Sequence, residues 1–325
     1  MNVRATGNGA GGTGAGSILV VGSVALDEIS TPAGHQEDVV GGTAVNFSAA
    51  ASLFAPVQLV GVIGDDYPTG ELDFLRRRSV DLSGLEQRSG RSFRWGGLYH
   101  RDMNTRDTTF TELGVFADFH PTIPDAFRSA PWAFLGAIDP ALQLEVLDQI
   151  ESPVLAACDT MNYWIDGTPE RLADVIARID LITLNDEEAK QLSGEHNLAR
   201  AARWIQSRGP RHVVIKKGEH GAVLLTSDGF FITPGFPLDD VVDPTGAGDA
   251  FAGGLIGYLA RCGSIAGPAL RRAVVYGCAL GSFACEAFGA RRMVTLTMAE
   301  VEDRVRSFGT LTRFDVPADR GKTLR

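Results

Sequence analysis

The stretch DDVVDPTGAGDAFAGG, Asp239 to Gly254, decides how this 325-residue chain is to be read. Val241-Val242 ends an extended piece, Gly246-Ala247-Gly248 reads as a turn, and a helix is expected from Asp249 onward. Glycines let successive backbone N–H groups bend toward one point, and a helix N-terminus adds partial positive charge. The segment therefore suits an anion. An aspartate in such a place has two readings, a helix cap or a group with chemistry to perform.

Outward from this segment, short apolar runs recur at Ile18–Val21, Val57–Ile63, Trp132–Leu135, Val154–Ala157, Leu181–Leu184 and His212–Ile215. Several are apolar at nearly every position, as expected of strands covered on both faces. Helical patterns lie between them at 46–54, 141–149, 169–179, 198–208, 250–260 and 270–288. Thr168-Pro169 supplies a cap followed by proline at the first helical position. The alternation predicts an α/β fold, a doubly wound, mostly parallel sheet flanked by helices. Around Ser227-Asp228-Gly229 two β-rich runs predict an antiparallel hairpin over 222–236. Residues 28–40 and 91–120 are strand-like without an intervening helix, and predict a small β lid over one edge of the sheet.

Composition narrows the class. Apolar residues make up 44% and charged residues 22%, ordinary values for a globular chain with a sizeable core. The net charge of −10 argues against nucleic acid or an anionic membrane as the main partner, without excluding a local pocket for phosphates. Cys158, Cys262, Cys278 and Cys285 form no CxxC pair or metal spacing and read as buried small hydrophobes in a reducing compartment. No apolar run approaches the roughly 18–20 residues that span a bilayer, and no apolar leader is evident, so the expected location is the cytoplasm. Residues 1–16 are glycine-rich and contain GxGxxG matches, for example Gly7, Gly9 and Gly12. These precede the first strand, so they read as a tail and not as a dinucleotide fingerprint. The expected organisation is a tail over 1–16, one domain over 17–308 and a second tail over 309–325.

DPTGAGDAF resembles the C-terminal signature of the ribokinase-like (PfkB-type) carbohydrate kinases. The resemblance implies ATP-dependent phosphorylation of a small-molecule hydroxyl, with Asp249 as the base and Gly246, Ala247 and Gly248 forming an anion hole. Gly41-Gly42-Thr43-Ala44-Val45-Asn46 is similar to the family's GGxxxN element, which implies acceptor contacts from Gly41, Gly42 and Asn46. The segment Gly22–Asp27 resembles the one whose aspartate holds sugar hydroxyls, here Asp27. Gly61–Asp66 resembles a strand and turn that serve mainly structure. Asn185-Asp186-Glu187-Glu188 resembles the NxxE element, which implies Asn185 near the nucleotide phosphates and Glu188 near Mg²⁺ through water. Lys216–Gly221 corresponds to a nucleotide-contacting loop, implicating Lys216, Gly218 and Gly221, although Lys216-Lys217 stands where many relatives have Thr-Leu. The stretch 278–290 corresponds to the adenine-pocket helix and turn, implicating Cys278. The resemblance also implies a K⁺ site at the Asp243 and Thr245 carbonyls.

The acceptor is left open between a free sugar or sugar acid, a ribonucleoside and a sugar phosphate. Residues 93–119 carry six aromatics, Phe93, Trp95, Tyr99, Phe110, Phe116 and Phe119, where the chain average predicts roughly two. Such rings suit a nucleoside base, a lid hairpin or a homodimer contact through the lid. Arg94, Arg101 and Arg106 suit a substrate phosphate instead. A catalytically silent ligand-binding relative is the further alternative, against which the intact Asp249, glycine turn and Glu188 argue. A nicotinamide oxidoreductase would need a fingerprint in the right context, which the chain lacks.

Overall fold

The computed structural model describes residues 16–313. The expected tails, 1–16 and 309–325, lie outside the described residues apart from Gly16 and 309–313, and the last helix, Met298–Leu311, runs into the second of them. Nine strands form the main sheet: β1 (Ile18–Val21), β4 (Val57–Ile63), β5 (Val80–Gln87), β8 (Trp132–Leu135), β9 (Leu155–Asp159), β10 (Leu181–Asn185), β11 (His212–Lys216), β12 (Ala222–Thr226) and β13 (Gly229–Thr233). Their order is β13-β12-β11-β10-β9-β8-β1-β4-β5, parallel throughout except for the β12–β13 hairpin at one edge. A second sheet is built from β2 (Ala25–Thr31), β3 (Gly34–Gly41), β6 (Phe93–Tyr99) and β7 (Arg106–Glu112) in the order β3-β2-β6-β7. It is the β lid that residues 28–40 and 91–120 predicted.

Alternation along each central strand divides the core in two. Ile18 and Val20 of β1 face one apolar cluster with the helices Thr43–Ala51, Ala247–Cys262 and Gly267–Ala284. Leu19 and Val21 face the other, with Pro169–Ile176 and Leu198–Gln206. Each fully buried branched side chain contributes about 1.5–3 kcal/mol, so a sheet apolar on both faces needs helices on both. Close approach of the helices depends on glycine: a Cβ on Gly253 would overlap the Phe47 carbonyl oxygen, and one on Gly277 would fall 2.9 Å from the Phe251 oxygen.

Some local expectations are corrected. Thr168 does not cap its helix through its side chain; its hydroxyl donates instead to the Trp164 carbonyl at 3.4 Å, because the preceding helix Asn162–Gly167 ends there. The helix expected at 46–54 begins three residues earlier, at Thr43. Ser23 satisfies its first donors, taking the Thr43 N–H on Oγ (3.1 Å) and the Ala44 N–H on its carbonyl (3.0 Å). Gly42, at φ +89, lets the chain make that turn. Cys158 and Cys278 are buried as expected, whereas Cys262 is exposed at a helix end.

Candidate active site

The parallel strands β9, β10 and β11 end side by side on Asp159, Asn185 and Lys216. Asn185 stands directly opposite Lys216, and Thr183 opposite Asp159. Open parallel sheets bind ligands outside these carboxyl ends. The glycine turn closes the space. Its geometry differs from the sequence reading in one respect: the helix starts at Ala247 and not at Asp249, with Gly246 at φ +74 as its N-cap. Asp249 thus lies in the first helical turn and caps nothing. The Ala247 N–H is engaged by the Pro244 carbonyl at 3.2 Å, while among the described residues the Gly248 and Asp249 N–H groups have no protein partner. Those two are the free donors of the helix N-terminus.

Other elements converge on the turn. A Cβ on Gly246 would overlap the Asn46 side-chain amide, and one on Gly248 would lie 3.2 Å from Lys216 Nζ. A Cβ on Gly41 would overlap the Asp27 carboxylate, so that glycine leaves room for the acid beside it. Lys216 is not a solvated lysine: its ammonium is mostly buried and pairs with Asp159 Oδ2 at 2.5 Å. Sequence reasoning missed Asp159. Its signal is position alone, an acid ending a buried apolar run at the carboxyl edge of the sheet.

Confinement shapes the electrostatics. Enclosure raises the Asp249 carboxyl to about 7, the Asp159 charge adds to this, and Lys216, the Thr43 hydroxyl and Arg106 oppose it. Burial and then Asp159 likewise raise Glu188 to about 7. Asp27 is pushed to about 8 by burial, with Asp243 and Asp249 reinforcing and the Gly42 N–H opposing. Burial pulls the Lys216 ammonium down, but Asp159, Glu188 and Asp249 outweigh it and hold the group protonated. Asn185 and Glu188 form a capping box: Asn185 Oδ1 accepts the Glu188 N–H (2.8 Å), and Glu188 Oε2 accepts the Asn185 N–H (2.7 Å). The NxxE element therefore builds its own helix start and leaves Glu188 Oε1 unused by the cap. Among the described residues no three His, Cys, Asp or Glu side chains cluster as metal ligands.

The lid reaches over both sides of the space. Tyr99 is buried with its hydroxyl 3.2 Å from Thr245 Oγ1. Trp95 stands opposite Asp27 in the parallel β2–β6 pairing, so the indole and the carboxylate share one lid face, and the Arg106 guanidinium lies 5.3 Å from the indole centre. At the hairpin tip Asn104 Nδ2 donates to Glu219 Oε1 at 3.5 Å, and a Cβ on Gly218 would fall 2.7 Å from Asn104 Oδ1. Arg94 is taken up by Asp38 (2.6 Å) and Asp66 (3.7 Å).

Two expected residues are packed within the fold, and a third, expected at K⁺ through its carbonyl, has its carboxylate engaged. Cys278 is buried within the larger core cluster. Gly221, at φ +87, packs against the backbone of 233–235. The Asp243 carboxylate is occupied by the Thr245 N–H (2.8 Å) and the Gly289 N–H (2.9 Å).

Comparison with known proteins agrees with this architecture. Over 250 residues the chain is 31% identical to a cytidine kinase of Thermococcus kodakarensis, covering 75% of this chain and 88% of that one. The fold matches the Methanocaldococcus jannaschii nucleoside kinase, an archaeal member of the ribokinase family, with TM-score 0.73 at 21% identity over 91% of this chain and 100% of that one. A double-mutant fructokinase of Vibrio cholerae, with fructose, ADP and potassium bound, matches with TM-score 0.74 at 19% identity over 90% and 99%. No helix among the described residues is long and apolar enough to cross a membrane. The model of the pfkB family of carbohydrate kinases matches residues 16–296, and with the glycine turn, Asp249 and the two-sheet architecture in place the chain belongs to that family of ATP-dependent sugar and nucleoside kinases.

Proposed function

We propose that the acceptor is a ribonucleoside, phosphorylated on a ribose hydroxyl with Asp249 as general base. The observation that carries this reading is the placement of Trp95 on the same lid face as Asp27, a flat aromatic surface beside a carboxylate suited to sugar hydroxyls. The similarity to a cytidine kinase supports it. Of the other lid aromatics, Phe110 is paired with Gly96 and so belongs to the opposite face; Phe93, Phe116 and Phe119 pack on one another with ring centres 5.5–5.7 Å apart.

Asp27 and Asn46 hold the acceptor, with Gly41 and Gly42 keeping the backbone close beneath it. Asp249 takes the hydroxyl proton as the oxygen attacks the terminal phosphorus of ATP. A new O–P bond forms, the bond to the bridging oxygen breaks, and ADP leaves with that electron pair. Charge building on the transferred group meets the Gly248 and Asp249 N–H donors and Lys216. Bound Mg²⁺ supplies charge neutralisation on the donor phosphates, and Glu188, beside Asn185, is the residue that would hold it through water. With the Asp243 carboxylate engaged, the main-chain carbonyls of Asp243 and Thr245 are what remain for K⁺. Gly218 and the lid tip border the nucleotide side.

The test is ADP release with cytidine, adenosine, ribose and fructose as acceptors. A ribonucleoside should exceed ribose at least about fivefold in kcat/KM, from a base stack of roughly 1–3 kcal/mol. Turnover with the sugars alone would remove the nucleoside assignment.

A further inference from the structure

Resting on the kinase reading above, we infer that Asp159 is a positioning residue for phosphoryl transfer: it holds the Lys216 ammonium against the glycine turn, making Lys216 part of the anion hole. Sheet geometry carries the first step. Asp159 and Lys216 end strands separated only by β10, and their side chains meet across it at 2.5 Å. Lys216 is a long side chain with high rotamer freedom, yet it is largely enclosed and directed at Gly248, the position whose N–H is free. An ion pair at one end of that reach determines where the remaining ammonium donors point.

Asp159 is itself fixed at two points besides Lys216. Its Oδ1 accepts the Thr160 N–H at 2.9 Å, leaving Oδ2 for Lys216. Its carbonyl accepts from Gln143 Nε2 at 3.1 Å, and the same amide donates to the Gly136 carbonyl at 2.7 Å. Gln143 is buried on the helix Pro140–Gln149, so the tether belongs to the scaffold of the main sheet and not to the lid. Charge supplies the second reason. Asp159, Glu188 and Asp249 crowd one space that must admit a polyanionic donor, and Lys216 is the core cation among them. Without it, the turn's N–H groups would face the phosphates amid three carboxyl groups.

The test compares Asp159→Asn in the natural background and in Lys216→Met, with ATP and whichever of cytidine, adenosine, ribose and fructose the natural enzyme uses. Asp159→Asn should lower kcat about 10–100-fold, the usual cost of removing a partner that orients a functional group. The acceptor KM should change less than about threefold, because Asp159 contacts neither Asp27 nor Asn46. In Lys216→Met, adding Asp159→Asn should change kcat little, since the group it positions is gone. Undiminished kcat in Asp159→Asn, or losses that multiply in the double variant, would overturn the assignment. If Asp159→Asn does not fold, as judged by thermal melting, Asp159→Glu takes its place in both backgrounds under the same criteria. A natural enzyme that transfers phosphate to none of the four acceptors overturns the ribonucleoside assignment instead, so the two failures are separable.

Discussion

At the scale of single residues, chemistry depends on which protons are present. Asp249 must be ionised to accept a proton, and enclosure together with Asp159 raises its carboxyl to about 7. kcat/KM should therefore rise with pH through an acid limb near 7 and level off above it, a limb far above that of an ordinary aspartate. Asp249→Asn should lower kcat on the order of 10²–10⁴-fold with the melting temperature and ATP binding nearly unchanged, since the residue caps nothing. A turnover assay beside isothermal calorimetry with an unhydrolysable ATP analogue checks both halves. Glu188 has two duties to separate. In Glu188→Gln the amide oxygen can still accept the Asn185 N–H, so the capping box survives, while the charge is lost. The Mg²⁺ concentration giving half-maximal rate should then rise several-fold with acceptor KM constant. An unchanged magnesium titration would leave Glu188 with the cap alone.

At the scale of elements, the helix carrying Asp249 and the helix carrying Asn46 are held at contact distance by glycine. Gly253→Ala would drive a methyl group into the Phe47 carbonyl, and relief requires the two helices to part. Overpacking of this kind costs about 1–3 kcal/mol. Thermal melting should show that loss, and acceptor KM should rise with it, because Asn46 and the Gly246 turn separate together. The lid offers a sharper contrast. Trp95→Ala should raise the acceptor KM by the equivalent of roughly 1–3 kcal/mol, and Phe110→Ala, on the other face, should leave it nearly unchanged. Equal effects in steady-state kinetics would contradict the face assignment.

At the scale of the whole molecule, buried acids link stability to pH, and Asp27 is displaced furthest of them. Asp27 ionises near 3.8 in an unfolded chain and near 8 in the fold, so between those values the native state binds the extra proton. Stability conferred by that group is full below about pH 4 and falls as pH rises toward 8. Asp27→Asn keeps the neutral form throughout; its melting temperature should overtake the natural protein's between pH 6 and 9, by about 2–4 °C per kcal/mol recovered, while acceptor binding weakens. A melting series across pH for both proteins decides it. Much of this molecule was legible along the chain. The runs Ile18–Val21, Val57–Ile63 and Trp132–Leu135 are strands at the predicted residues, because continuous apolar stretches bounded by turns have few other stable fates. The glycine turn leading into a helix was legible too, to within two residues of the helix start, since turn and helix are written in consecutive residues. Asp159 was not: an acid ending an apolar run resembles any strand terminus until the sheet brings it 57 positions along to Lys216. Nor did aromatic content separate Trp95 from Phe110, because face depends on the bulge at Gly96/Gly97 and on pairing with β2, a strand more than 60 residues away. Local pattern determines what the backbone does with its own neighbours; which charges end up sharing one desolvated space is decided by the crossing of distant strands, and only the folded chain contains that information.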